Sequence, residues 1–513
     1  MSAIPFVYRA DSYKHSHHKQ FPPELVGTHY YVEARKPKAD GMRDFLDKSG
    51  LSEAAIQEVY AAWLEFLKLH PDFFSTVVTM GMQGYLKAYL AKDGNAPLTH
   101  LAQAAEVLPA HGVPFNKEGW DFIQKAQVDT DPYLALPVRI YSLPEGTVVP
   151  VGTPQAAIET ADDRFAWLAS FLETAFIRAL WYPTTVASLA RQIRIVCRYF
   201  LTLTADPDVI EPALRFMLHD FGARGASSGE SAAIGGAGHQ TQFDGTDNVE
   251  ALYYLHRYYG ANLSNTSFTL PAAEHSTVMA WGKPREAEAY QHIVNVHLNE
   301  PAVTGVSVVS DTYGLEQAIT NVWCNELKAF VKAQTKRIVI RPDSGNPLVV
   351  PRNTLVKLTN EFGGRVNTKN YKVLPNNLRA LQGDGVNLYS IFVILHFLMK
   401  TNISAENLVL GMGGALLQLV GRDDYGFAEK LSAVRYKEDP GTYLPVFKEA
   451  DGKRSKAGVF HVSKNSSGKI VVKNIPNMKQ EADTNLLTLQ YDGSAKKWPL
   501  PTYFEVVRQR ARQ

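Results

Sequence analysis

Apolar residues recur every three to four positions in some stretches of the chain and form short continuous runs in others, and this change of pattern organises it. Residues 52–69, SEAAIQEVYAAWLEFLKL, show helical spacing behind a serine placed to cap the first turn. Residues 164–181, RFAWLASFLETAFIRALW, predict a second amphipathic helix, ended near Pro183 because proline has no N–H to give and crowds the preceding turn. Residues 185–203 and 248–259 predict two more helices. From about residue 215 short apolar runs alternate with helical stretches: VSVVSD (306–311), RIVIRPDSG (337–345), LRALQGDG (378–385) and NLVLGMGG (407–414). Each run ends in Asp, Gly or Ser, as buried parallel strands do where they open into functional loops. Strands alternating with helices over this length predict an α/β barrel or a doubly wound sheet. In a barrel, the polar strand ends would gather on one rim. Residues 434–513 alternate with Gly and Asn turns, which predicts β-structure packed on the N-terminal region.

The chain has 513 residues, more than one hydrophobic core usually serves, so at least two domains are expected. With 45% hydrophobic and 20% charged residues it reads as a globular protein, and a net charge of +2 supplies no overall field for nucleic acid or an anionic membrane. An anion site must therefore be local. The two cysteines, Cys197 and Cys324, form no C-x-x-C pair and no disulfide framework, which fits a reducing compartment. The N-terminal residues lack the apolar stretch of a signal peptide, and no run reaches the roughly 18 apolar residues of a membrane span. A cytoplasmic protein is expected.

Several short stretches carry chemistry. PAAEHSTVMAWG (271–282) sets Glu274 beside His275, an order no core helix requires. LHDFGARGASSGESAAIGGAGHQTQFDGTD (218–247) holds His219, Asp220, Phe221, Arg224 and Asp247 among small residues that let backbone approach a ligand. Its glycines do not fit G-x-G-x-x-G, and tight turns explain it equally well. In IRPDSGNP, Arg341 suits a phosphate or carboxylate, and Asp343 a ribose hydroxyl or the water shell of Mg²⁺; the plain alternative is a buried ion pair. Asp384, flanked by two glycines, suits a ribose or a simple β-turn. GMGGALLQ offers backbone N–H groups to a phosphate, with Arg422 and Lys430 following as further cations or as solvated surface charge. Asp311, in VVSDTYG, lacks the company expected of a type I phosphoribosyltransferase motif and reads instead as a partner for a histidine. HSHH (15–18) matches no standard metal spacing.

Taken together and in order, eleven segments resemble the nicotinamide phosphoribosyltransferase family: DSYKHSHHKQFPP, VEARKP, WYPTTVAS, HDFGARGASS, FDGTD, PAAEHST, VSVVSD, IRPDSGNP, LQGDG, GGALLQ and KRSKAG, spanning residues 11 to 458. The resemblance implies an α/β fold of type II phosphoribosyltransferase kind. Its irregular, TIM-like α/β barrel would occupy 181–431, beside an α+β domain built from both termini, 1–180 with 432–513. It implies a homodimer with active sites at the interface, and a reaction of nicotinamide with 5-phosphoribosyl-1-pyrophosphate that yields nicotinamide mononucleotide and pyrophosphate in NAD salvage. It also implies a requirement for Mg²⁺ and ATP hydrolysis that is coupled but not strictly essential. Carried over residue by residue, Phe221 and the partner-supplied Tyr13 face the nicotinamide ring, and Asp247 meets the carboxamide, with Ser307 among the substrate contacts. Arg224 and Arg341 lie around ring and phosphate, and Asp343, Gly383 and Asp384 near the ribose, Asp343 also as a metal ligand. Gly413, Gly414 and Arg422 fall at the 5-phosphate, and Arg35, Lys430, Lys448 and Lys453 at the pyrophosphate or ATP phosphates. His275 takes a phosphoryl group from ATP, with Asp311 fixing its tautomer and Glu274 assisting. Where the family pattern has a serine near the phosphates, this chain has Ala428.

Other readings remain open from sequence: a nicotinate phosphoribosyltransferase of the same barrel class, a non-enzymatic binding protein with a degenerate site, and a Rossmann dehydrogenase. The missing glycine fingerprint disfavours the last.

Overall fold

A computed structural model describes the chain apart from residues 1–3, 75, 92–97, 99, 128–132, 451–452 and 494–501. Six parallel strands form one sheet, in the order Gly245–Thr246, Leu218–Asp220, Leu408–Met412, Leu378–Gln382, Arg337–Arg341 and Gly305–Val309. Val306, Val308, Ile338, Ile340, Leu378, Ala380, Leu408 and Leu410 are buried in one core, which is why these runs are apolar without alternation. The sheet curls, and residues 268–273 join its two edges. Phe268 bridges Gly245 on one edge and Ala272 bridges Ser307 on the other. Phe268 N donates to Asp244 O at 2.9 Å, and Ser307 N to Pro271 O at 2.8 Å. Irregular backbone thus closes the barrel and leaves every strand's C-terminal end on one rim.

The second sheet is antiparallel and drawn from both ends of the chain: Asp439–Pro445, Ala428–Tyr436, Leu25–Glu33, Pro154–Thr160, Val138–Ser142 and Thr488–Tyr491. Tyr31, Trp120, Ile140, Ile158, Phe171, Phe427 and Phe460 fill its own core. The helices Glu53–Leu69 and Val249–Tyr259 form where the spacing predicts them, behind Ser52, which accepts from Ala55 N, and Asn248, which accepts from Ala251 N.

Two expectations fail. The helices read as 164–181 and 185–203 are one, Leu168–Thr204, running through Pro183. Pro183 leaves the Ala179 carbonyl without its helical donor, and that carbonyl meets Gly81, where a Cβ would lie only 2.1 Å away. Thr184 Oγ1 bonds Met80 at 3.1 Å, so a neighbouring turn braces the helix at its weak point. Leu168 to Leu180 pack in the core of the antiparallel sheet, and Val186 to Leu201 pack in the barrel core. The second correction concerns only the end of the C-terminal region: strands form as expected from Asp439–Pro445 to Thr488–Tyr491, and the departure follows them. Phe504–Ala511 is a helix, because Phe504, Val507 and Ala511 share one buried face at helical spacing. It docks on Ile234, Tyr254 and Leu255 beside the barrel.

Among the described residues, no helix is long and apolar enough to cross a membrane.

Candidate active site

The rim begins with Asp220 and Phe221, at the end of Leu218–Asp220. Asp220 is buried, accepts from Gly222 N at 2.8 Å and Asn248 Nδ2 at 2.9 Å, and so fixes the turn that follows. Burial pushes its carboxyl up to about 6, against these hydrogen bonds. Phe221 N donates to Met412 O at 3.0 Å. The Phe221 ring lies directly on Gly411, where a Cβ would meet it at 2.0 Å, so that glycine is imposed by packing. A Cβ on Gly383 would sit 3.7 Å from the same ring and 3.6 Å from Asp343 Oδ1. Three strand ends, at 221, 343 and 383, therefore meet around a slot with one flat aromatic wall. Gly414 has nothing within 4 Å of its Cβ direction and Gly413 only the Phe221 carbonyl at 3.8 Å, so both face open space. Asp384 is exposed at the next turn, its carbonyl held by Gln382 Nε2 at 2.7 Å.

Arg341 connects this slot to the histidine loop. Its Nη2 lies 3.8 Å from Asp343 Oδ2 and 3.4 Å from the Ala273 carbonyl. Two residues further, His275 Nε2 and Asp311 Oδ1 are 2.9 Å apart, with the aspartate side chain 5% exposed and the histidine 39%. An ionised Asp311 accepts the Nε2 proton and leaves the Nδ1 lone pair for other partners. Glu274 turns away from the imidazole. It caps the helix His275–Met279, accepting from Ser276 Oγ at 2.7 Å while its backbone N donates to Thr277 Oγ1 at 3.2 Å.

Asp247 is exposed at the end of Gly245–Thr246; its N donates to Asp220 O at 3.0 Å and its carboxylate accepts from the Thr269 hydroxyl. His219 packs against Gly245 and under Phe221, ring centroids 6.1 Å apart. Desolvation lowers its pKa to about 4, so it is neutral at physiological pH. Three buried atoms at or just past strand ends, Thr312 Oγ1, Arg341 Nε and Gln382 Oε1, and Ser307 Oγ within Gly305–Val309 have no hydrogen-bond partner among the described residues. Buried polar atoms are rarely left so, and the three at strand ends suit a polar ligand at the rim. Thr269, Thr312 and Gln382 were not singled out in the sequence, although the last two lie within the motifs VVSDTYG and LQGDG.

A second group lies on the antiparallel sheet. Arg35 is exposed, with its N bonded to Tyr425 O at 2.9 Å and its Nε to Gly426 O at 2.7 Å. Lys430 pairs across from Tyr31, and burial first, then the charges of Arg35 and Lys448, hold its pKa below the usual lysine range. Those three cations therefore share one neighbourhood. Lys448 is exposed, and Lys453 lies in Lys453–Arg454 with its side chain outside the described residues. Arg422 is exposed and paired with Asp423 at 3.2 Å, and Arg224 is exposed on the turn after Phe221. Tyr13 is 54% exposed; its ring neighbours are His17 at 5.3 Å and Lys14 Nζ at 5.2 Å, so a single chain does not bring it to Phe221. In HSHH, His17 bonds Ser170 Oγ at 2.7 Å and His18 the His15 carbonyl at 2.8 Å. No group of three His, Cys, Asp or Glu able to hold a metal occurs among the described residues.

The fold is shared with nicotinate-nucleotide pyrophosphorylase from Pyrococcus furiosus, at a TM-score of 0.58 and 14% identity, covering 100% of this chain and 97% of that one. The barrel is the type II phosphoribosyltransferase fold. The nicotinate phosphoribosyltransferase (NAPRTase) family model matches residues 216–475, and the N-terminal domain model of nicotinamide phosphoribosyltransferase matches residues 5–140. A nicotinamide phosphoribosyltransferase of Xanthomonas campestris pv. campestris (strain 8004) is 39% identical over 458 residues, 88% of this chain and 86% of the relative. One of Acinetobacter baylyi is 26% identical over 483 residues, 89% and 88% of the two chains. The chain belongs to the nicotinamide phosphoribosyltransferase family.

Proposed function

We propose that the protein joins nicotinamide to 5-phosphoribosyl-1-pyrophosphate, releasing pyrophosphate and nicotinamide mononucleotide, in NAD salvage within the cytoplasm. The observation that carries this reading is the meeting of Phe221, Asp343 and Gly383: a flat ring wall beside a carboxylate, the two chemistries that a pyridine joined to a sugar needs.

The pyridine nitrogen of nicotinamide is unprotonated at neutral pH and needs no general base. The difficult event is loss of pyrophosphate from a carbon that becomes oxocarbenium-like, so positioning and neutralisation of the leaving group carry the catalysis. Phe221 supplies one face for the base, and the partner subunit of a homodimer supplies Tyr13 for the other. Asp343 and Asp384 face the ribose hydroxyls, and the open turn at Gly413 and Gly414, with Arg422, takes the 5-phosphate. Arg35, Lys430, Lys448 and Lys453 meet the pyrophosphate and the phosphates of ATP. Asp343 would be the protein's ligand to Mg²⁺, a hard carboxylate oxygen of the kind that ion prefers. When bound it neutralises charge on the diphosphate. Arg224 and Arg341 add fixed positive charge beside it.

Asp247 sets the choice of base. With one oxygen held by Thr269, its carboxylate accepts from the NH₂ of the amide, whereas nicotinic acid presents a second negative charge. ATP enters through His275. Its Nδ1 attacks the γ-phosphorus, an N–P bond forms, the bond to the bridging oxygen breaks, and ADP leaves. Asp311 holds the Nε2 proton and stabilises the ring's positive charge, while Glu274 fixes the loop. The phosphorylated ring carries negative charge that would attract the Mg²⁺ bound with the substrate diphosphate, and so tightens binding.

Incubating the protein with nicotinamide, phosphoribosyl pyrophosphate and Mg²⁺, with and without ATP, tests the proposal. Nicotinamide mononucleotide and pyrophosphate are expected in both cases, more with ATP, together with acid-labile phosphate on the protein. Absence of mononucleotide under both conditions rejects the reading, and preferential use of nicotinic acid replaces it with nicotinate phosphoribosyltransferase activity.

A further inference from the structure

The helix Phe504–Ala511 lies outside the site, yet it grips both segments that carry the Asp247–Thr269 pair. Three residues before Asp247, the Asp244 carboxylate is 1% exposed and lies 3.5 Å from Arg508 Nη1, 2.6 Å from Arg512 Nη2 and 2.6 Å from Arg215 Nε. Three residues before Thr269, the Thr266 carbonyl accepts from Arg508 Nη2 at 2.7 Å. One guanidinium therefore holds both segments at the same distance from the rim. Arg512 also donates to Thr241 O at 3.1 Å, and Gln242 Nε2 donates to Ala511 O at 3.0 Å.

From this clamp the two segments run side by side. Phe268 N donates to Asp244 O at 2.9 Å and Thr246 N to Phe268 O at 3.0 Å, while His239 Nε2 lies 3.0 Å from Gly245 O. Three residues of extended chain span about 10 Å, and this short ladder has main-chain bonds along its length. A shift at the clamp is carried to the rim rather than absorbed between. Burial alone would raise the pKa of Asp244; Arg512 and Arg508 more than offset it and keep the group ionised.

We propose that Arg508 is a positioning residue for substrate choice. Through Asp244 and Thr266 it sets the relative placement of Asp247 and Thr269, and so how well the site tells an amide from an acid. The inference rests on the reading that Asp247 meets the carboxamide. Arg508→Lys keeps the charge but loses the fork that holds two segments at once; Asp244→Asn keeps the shape and loses the charge. Arg512→Gln is milder, because Asp244 retains two guanidinium partners.

The three variants are compared with the wild type by circular dichroism, thermal melting and steady-state kinetics with both bases. The KM for nicotinamide is expected to rise several-fold to about tenfold in the first two and less in the third. The ratio of kcat/KM for nicotinamide over nicotinic acid falls by a similar factor, with the KM for phosphoribosyl pyrophosphate within about twofold of wild type. A merely structural clamp lowers the melting temperature and leaves the ratio where it was, which overturns the proposal; should the stronger variants not fold, the same ratio in Arg512→Gln decides. A wild type that uses neither base removes the underlying reading, whereas a wild type selective for nicotinamide with unchanged ratios in the variants removes this inference alone.

Discussion

The barrel rim and the basic cluster of the antiparallel sheet hold their groups in opposite ways. At the rim, most candidate residues sit within a few positions of a buried parallel strand, pinned through the main chain: Phe221 N to Met412 O, Asp247 N to Asp220 O, Ser310 N to Arg341 O. On the antiparallel sheet, Arg35 and Lys448 are exposed and Lys430 is half-buried near both of them, with Glu173 and Glu429 also at hand. A rigid frame suits recognition of shape, where a small displacement is felt. Compliant cations suit a mobile diphosphate whose arrival restores a favourable charge balance. Changes at the rim should therefore alter which base is used, and changes in the cluster how tightly the phosphates are held.

The comparison is broken most severely at His275. His275→Ala is expected to abolish ATP hydrolysis and acid-labile phosphorylation while slow ATP-independent synthesis persists; retained ATP-coupled turnover contradicts the assignment. The frame beneath the rim is tested by pH. His239 is buried, its pKa lowered to about 4 by desolvation, below the unfolded value near 6.5. As pH falls from 6.5 towards 4 the unfolded chain takes a proton that the folded one refuses, so stability is lost in that window and is fully present above it. Relative to His239→Gln, whose amide can still donate to Gly245 O, the wild type should lose up to about 3 kcal/mol across that range. Urea denaturation at several pH values measures the difference. Gly411→Ala forces a methyl into the Phe221 ring and should cost about 1–3 kcal/mol of stability together with nicotinamide affinity. Lys430→Met should raise the KM for phosphoribosyl pyrophosphate about tenfold and leave selectivity between the bases alone. Gly383→Ala meets the protein only at ordinary contact distances; it should leave the melting temperature unchanged and raise the KM for nicotinamide a few-fold.

The same contrast explains how far the sequence could be read. Parallel strands bring their ends together by topology, so runs such as RIVIRPDSG and LQGDG announced both the strand and its place on the rim. Asp311 closes the run VSVVSD and was legible as a histidine's partner, and the family resemblance pointed to His275 as that histidine. Nothing local showed that Thr269 would meet Asp247, since that contact depends on the isolated bridge between Gly245 and Phe268. Lys430 could be read as surface charge and Arg35 carried no local signal; their shared neighbourhood arises from the pairing of Leu25–Glu33 with Ala428–Tyr436, some four hundred residues apart along the chain, and only resemblance to a family pointed there. Pro183 misled because the turn that braces the long helix comes from residues 80–81, far upstream. The clamp on Asp244 was invisible for a related reason: the arginines that build it lie at 215, 508 and 512.

A crystal structure of the protein with nicotinamide mononucleotide and pyrophosphate tests the slot most directly. The pyridine is expected flat against Phe221, its amide at Asp247, and the ribose hydroxyls within hydrogen-bond distance of Asp343 or Asp384. A mononucleotide seated away from Phe221, or with its amide turned from Asp247, contradicts it.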